Sequence, residues 1–151
     1  MNLEKYTIEA SENFLEFWFY SKGPKGMIKK VVKFTPIDTK KFTCFNLGLG
    51  DWDESQQMVD DSIISNNQDT EKVFASVADI IFQFTDRNPN AIIYVEGNSE
   101  SRVRLYQIKI NKYLNEVIAH FELFGLLKNL DLESYSAGNK YLGFVGKRKA
   151  L

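Results

Sequence analysis

The spacing of apolar residues changes near residue 70 of this chain, and that change restricts the fold more than any other feature. Through the first fifty residues apolar side chains recur at every second position, and in two later segments, from about 70 and from about 100, they recur at every third or fourth. A period of two places one apolar face on a strand, and a period near 3.6 places one apolar stripe on a helix. Strand-like segments followed by helix-like segments, rather than a steady alternation of the two, indicate an α+β domain.

The strand region is read in four pieces. Residues 6–8 (YTI) form a short one. Residues 14–20 (FLEFWFY) set Leu15, Phe17 and Phe19 on one face and Glu16, Trp18 and Tyr20 on the other. The turn Gly23-Pro24-Lys25-Gly26 leads into residues 27–34, where Ile28, Val32 and Phe34 face one way and Lys29, Val31 and Lys33 the other. Residues 42–49 complete an antiparallel meander. Residues 51–67 are polar and acidic and are read as a loop with at most a short strand within 58–64. A helix then opens near Asn67 or Asp69, either of which can cap it, with Glu71 in its first turn. Its stripe is Val73, Val77, Ile80, Ile81 and Phe84, and Asn88-Pro89 ends it, because proline disfavours the helical region for the residue before it.

Residues 91–95 (AIIYV) form a continuous apolar run, as expected of a central strand covered on both faces. The second helix carries Val103, Tyr106, Ile110, Tyr113 and Val117, with a break near Asn111 and residues 121–127 as an alternative strand. Residues 141–145 are the last strand. The expectation is therefore an α+β fold: a curved, mainly antiparallel sheet, made of an N-terminal meander of about four strands plus one central and one C-terminal strand, with two principal helices packed on one face. One domain is expected over residues 1–151, with residues 147–151 a mobile basic tail.

Charge is segregated along the chain. Residues 1–50 carry 8 basic and 5 acidic groups, residues 51–100 carry 2 and 11, and residues 101–151 carry 9 and 4. Internal pairing of the acidic middle with its basic flanks is the first explanation, and a polarised surface for a charged partner is the second. Cys44 is the single cysteine, so no internal disulfide and no cysteine-rich metal site is available. The start of the chain lacks the apolar core of a signal peptide, no run is long enough for a membrane helix, and a cytoplasmic setting is expected. No cofactor is implied.

The strongest candidate site is GNSESRVR, with Gly97, Asn98, Ser99, Ser101, Arg102 and Arg104. A glycine closes a buried strand, Asn98 or Ser99 can cap the helix, and a helix N-terminus attracts anions through its unpaired N–H groups and its dipole. Arginines there cost about 0.3–1 kcal/mol rather than help, so they ask for a reason. Pairing with carboxylates of the acidic segment, or with Asp86 or Glu96, is one reason; an anionic or phosphate ligand is the second and a partner protein the third. Residues two apart on a helix diverge, so Arg102 and Arg104 do not grip one group unless the first turn distorts. With Gly97 alone there is no dinucleotide or P-loop fingerprint.

The other constellations are weaker. As a calcium loop from Asp51 the acidic stretch fails, with Gln56 at the glycine position and Ser62 at the bidentate position. The same Asp51-Trp52-Asp53 loosely resembles the nucleophile motif of haloacid-dehalogenase-type phosphatases, without their alternating strands and helices. No metal residue is assigned. Trp18 and Tyr20 would lie beside Lys29 and Lys33 if their strands pair, an aromatic and basic face suited to single-stranded nucleic acid, to a covering helix or to self-association. His120 reads as a surface or packing residue, and Cys44 as an inert thiol in a strand.

Several stretches together resemble a family of small bacterial proteins of unknown function: GPKG at 23–26, FNLGLGD at 45–51, SNNQDTEKV at 65–73, FTDRNPNA at 84–91 and GNSESRVRLY at 97–106. The resemblance spans about residues 6–149. It implies a free-standing one-domain protein and transfers no catalytic residue. The functional expectation is a non-catalytic binding or interaction module that recognises an anion at 97–104, ahead of a small phosphate-directed enzyme and of a single-stranded nucleic-acid binder.

Overall fold

The computed structural model describes residues 3–37, 43–60, 66–97 and 99–150. Among these, nine strands and three helices follow in the order β1 Glu9–Ala10, β2 Glu16–Gly23, β3 Gly26–Ile37, β4 Cys44–Asp53, β5 Met58–Asp60, α1 Thr70–Arg87, β6 Ile92–Glu96, α2 Glu100–Lys112, α3 Leu114–His120, β7 Phe121–Leu126, β8 Leu132–Ser134 and β9 Gly143–Arg148. The sheet order is β1-β2-β3-β4-β6-β9-β7-β8, with β5 on β4. β4 and β6 run parallel, joined by the connection that contains α1, and the other registered pairs are antiparallel. The fold is thus the α+β arrangement expected, with a mostly antiparallel sheet that opens on an N-terminal meander. No described helix is long and apolar enough to cross a membrane.

The chain divides into two compact units, one of Met1–Thr35 with Gly48–Arg87, the other of Pro36–Leu47 with Asn88–Leu151. In the first, Gly23 faces Gly26 across the two-residue turn of the β2–β3 hairpin, and alternation buries Phe17, Phe19 and Ser21 on one side of β2. Phe17 meets Phe34 edge-on, and the Phe34 ring stacks on Phe84 of α1 at 3.9 Å between centroids. The buried line of α1 is Ala75, Ser76, Ile80, Phe84 and Thr85. It keeps Ile80 and Phe84 of the expected stripe and turns Val73, Val77 and Ile81 to half-buried positions. Small Ala75 and Ser76 permit that rotation, and the hydroxyls of Ser76 and Thr85 satisfy themselves on the Lys72 and Ile81 carbonyls.

In the second unit, β6 lies between the first residues of β4 and β9, burying Ala91 and Ile93. A smaller cluster gathers Val103 of α2 with Tyr141 and Phe144, and Tyr106, Ile110, Leu127 and Tyr135 pack against it. The second predicted helix is broken at Tyr113, which caps both α2 and α3, and residues 121–126 form the strand foreseen as the alternative.

Other expectations change. Residues 6–8 are not a strand: the Tyr6 ring instead stacks on Phe19, and its hydroxyl donates to Asp69 at 2.6 Å. Asp51, Trp52 and Asp53 are not loop but the last turn-ward residues of β4, because Met58, Val59 and Asp60 pair with them. Of the two foreseen caps of α1, Asn67 is buried under the β2–β3 turn, and Asp69 holds the cap position. The helix opens at Thr70 and the Val73 N–H donates to the Asp69 carbonyl at 2.9 Å, while the Asp69 carboxylate takes Tyr6 and Ser21. Lys147 and Arg148 belong to β9, opposite Ile92 and Phe121, rather than to a tail. β8 is an addition that its three-residue length hid. The readings at residue 42 and at residues 61–65 lie outside the described residues.

Candidate functional site

At the Gly97 junction β6 turns directly into α2. A Cβ on Gly97 would stand 2.8 Å from the Val103 nitrogen, so glycine permits the strand end to approach the first helical turn. Ser99 is the N-cap, and its hydroxyl accepts from the Arg102 N–H at 3.2 Å. One donor that an anion could use is therefore already occupied. Arg102 is 5% exposed, whereas Ser101 and Arg104 are exposed. Among the described residues no buried side-chain nitrogen or oxygen lacks a hydrogen-bond partner, and Arg102 is not without partners in the fold. The structure does not bring the two arginines together. Asn98 lies outside the described residues. Nearby on β6, the Tyr94 hydroxyl is pushed up to about 12, by burial first and then by the Glu96 carboxylate beside it.

The expected aromatic and basic face is assembled. Register sets Trp18 opposite Val31, Tyr20 opposite Lys29 and Glu16 opposite Lys33. Lys29 Nζ lies 5.2 Å from the Trp18 ring centre and 5.1 Å from that of Trp52, a residue whose acidic neighbours suggest a loop. Each indole N–H is held by a carboxylate: Trp18 donates to Glu9, and Trp52 donates to Glu54 at 2.7 Å. Lys33 pairs with Glu16 at 3.0 Å. Tyr20 and Met27 stand exposed on the same side, at 39% and 64%. Alternation along β4 would have revealed Trp52 on this face, had the strand been carried three residues further.

The acidic residues have structural uses. Asp51 forms a 2.5 Å ion pair with Lys30, which is 5% exposed on the core side of β3. Asp53 accepts from the Ser55 hydroxyl and from the Ser55 and Gln56 N–H groups, which holds its carboxyl below the usual range. Lys5 pairs with Asp79 at 3.0 Å. The Lys30 and Lys5 pairs join the basic first segment to the acidic middle, as charge segregation suggested. An open depression of about 590 Å³ at the start of α1 is lined by Asn66, Gln68, Asp69, Thr70, Glu71 and Lys72. Its Asp69 carboxylate is taken by Tyr6 and Ser21. His120 ends α3, exposed, and Cys44 is half-buried at the start of β4.

Comparison with known proteins places the chain plainly. The model of a family of unknown function, DUF6934, matches residues 2–149, and the chain belongs to that family. No match was found among curated proteins or among solved structures.

Proposed function

We propose that this member of the family is a non-catalytic binding module, and that the outer face of β2, β3 and β4 is the surface with which it meets a protein partner. The observation that carries the reading is Lys29 over the rings of Trp18 and Trp52, with each indole N–H tied to a carboxylate. Two large aromatic side chains are thereby fixed before any partner arrives, which lowers the ordering cost of association. Tryptophan and tyrosine supply a disproportionate share of interface energy, and Tyr20 and Met27 extend the same surface.

The charges on this face argue against nucleic acid. Lys29 is held by two π faces and Lys33 by Glu16, while Glu9 and Glu54 add negative charge at the rim. A strand of phosphates would have to displace these partners. The start of α2 is a second reading. Gly97, Asn98, Ser99, Ser101, Arg102 and Arg104 would recognise an anion through exposed Arg104 and the first helical N–H groups, with Arg102 as internal support.

Recovery of tagged protein from its native cells tests the first reading. Wild type should retain a protein that Tyr20→Ala/Met27→Ala releases, and equal recovery by both would sink the proposal. Salt-sensitive oligonucleotide binding lost in Trp18→Ala would replace the protein partner by a nucleic acid. For the second reading, inorganic phosphate should raise the melting temperature of wild type but not of Arg104→Ala.

A further inference from the structure

The outer face of the sheet has a receptor-like centre whose own occupant is part of the chain. Lys29 Nζ stands within about one ring-contact distance of two indoles, at 5.2 and 5.1 Å. The rings are oriented by Glu9 and Glu54, so two π faces meet a single positive charge and each ring carries a carboxylate on its N–H. All four come from different places in the first compact unit: β1, β2, the end of β4 and the turn after it. Trp18, Lys29 and Trp52 are all half-buried, so solvent reaches the cluster.

We infer that this cluster is a cation-recognition site, and that the group it takes from a partner is a guanidinium that displaces Lys29. This rests on the proposed binding face and names the chemistry read there. Charge complementarity commits the occupant to a cation. A primary ammonium is a compact, strongly hydrated charge, whereas a guanidinium is planar, weakly hydrated and stacks on aromatic faces. It also carries donors in a fork that suits the carboxylates at the rim. Lys29 therefore acts as a resident plug: it keeps the indoles apart and aligned in the free protein, and its long flexible stem lets the ammonium swing out to solvent.

The test is a tryptophan-fluorescence titration with a short arginine peptide and its lysine counterpart, at matched ionic strength. Wild type should bind the arginine peptide more tightly than the lysine peptide. Lys29→Met should tighten arginine binding about tenfold, since two exposed cation–π contacts no longer compete. Lys33→Met removes the same charge from the same face but not from the cluster, and should change binding less than about twofold by loss of a screened surface charge. Trp52→Leu, checked for folding by circular dichroism, should abolish binding. Equal tightening by Lys29→Met and Lys33→Met would show a general charge effect and overturn the plug. Absence of arginine-peptide binding in both wild type and Lys29→Met would overturn the site itself. If the cellular partner is nonetheless lost in Tyr20→Ala/Met27→Ala, the binding face stands and the cation chemistry falls.

Discussion

Lys30 and Tyr141 are both buried side chains with a polar end, one in each compact unit, and they are treated differently. Lys30 spends a full charge inside, on Asp51 of β4. In the same unit Ser21, Asn67, Ser76 and Thr85 are also buried and bonded. Tyr141 buries its ring over Gly125 but sends its hydroxyl to Glu133 and to the Ser136 N–H, among groups open to water. Gln107 of α2 reaches the Asn139 carbonyl and Asn111 contacts Tyr135, so the loop between β8 and β9 is tied down at its surface. A polar group lost in the first unit leaves a partner stranded in low dielectric, whereas one lost in the second leaves a partner that water can reach.

That contrast is broken or sharpened by substitutions of graded effect. Asp51→Ala should be the most damaging, at about 3–5 kcal/mol in urea unfolding, because it removes the carboxylate that stands 2.5 Å from a buried ammonium. The paired change Lys30→Met/Asp51→Leu should recover most of that loss. Asn67→Ala follows, at about 2–3 kcal/mol, since its amide serves Ser21 and the Gly26 carbonyl and its oxygen accepts from the Lys25 N–H. Tyr141→Phe, in the second unit, should cost only about 1 kcal/mol. A Tyr141→Phe loss equal to that of Asp51→Ala would erase the distinction between the units.

The smallest effect is alkaline. Burial, and then the Glu96 carboxylate, raise Tyr94 to about 12 from the ordinary 10.0, so the protonated hydroxyl is favoured in the folded state. The stability this contributes is complete below about pH 10 and is lost as pH rises through about 12. Tyr94→Phe should flatten that part of the stability profile, and absorbance titration should show one fewer late tyrosine in the variant, with Tyr6, Tyr135 and Tyr141, which burial also raises, remaining.

Much of the fold was legible because period carries it. The Phe17/Phe19 alternation, the Gly23–Gly26 turn and the proline stop after α1 are local rules that the fold obeys. What was not legible depended on partners distant in sequence. Asp51-Trp52-Asp53 looks like loop until Met58, Val59 and Asp60 fold back on it. Lys30 lies on the apolar side of its own strand, between Ile28 and Val32, and that position was the available signal for a buried charge. At the junction the divergence of Arg102 and Arg104 was readable from helical spacing. Their opposite burial was not, because it is set by packing beyond the helix. The aromatic face was half legible: the β2–β3 residues follow from alternation, whereas Trp52 joins them only because Val59 pairs with it at the end of β4.

Two methionines make the proposed binding face measurable against an internal standard. Met27 lies on the side of β3 that carries Lys29, and Met58 lies opposite Asp53, on the other side of β4 from Trp52. They are exposed to similar degrees in the isolated chain, 64% and 54%. Hydroxyl-radical footprinting, compared between purified protein and intact cells, reads both in one experiment. The account predicts that Met27 is protected in cells while Met58 oxidises as it does in the purified protein. Unchanged oxidation of Met27 in cells, or equal protection of both methionines, would contradict a partner seated on the outer face of the sheet.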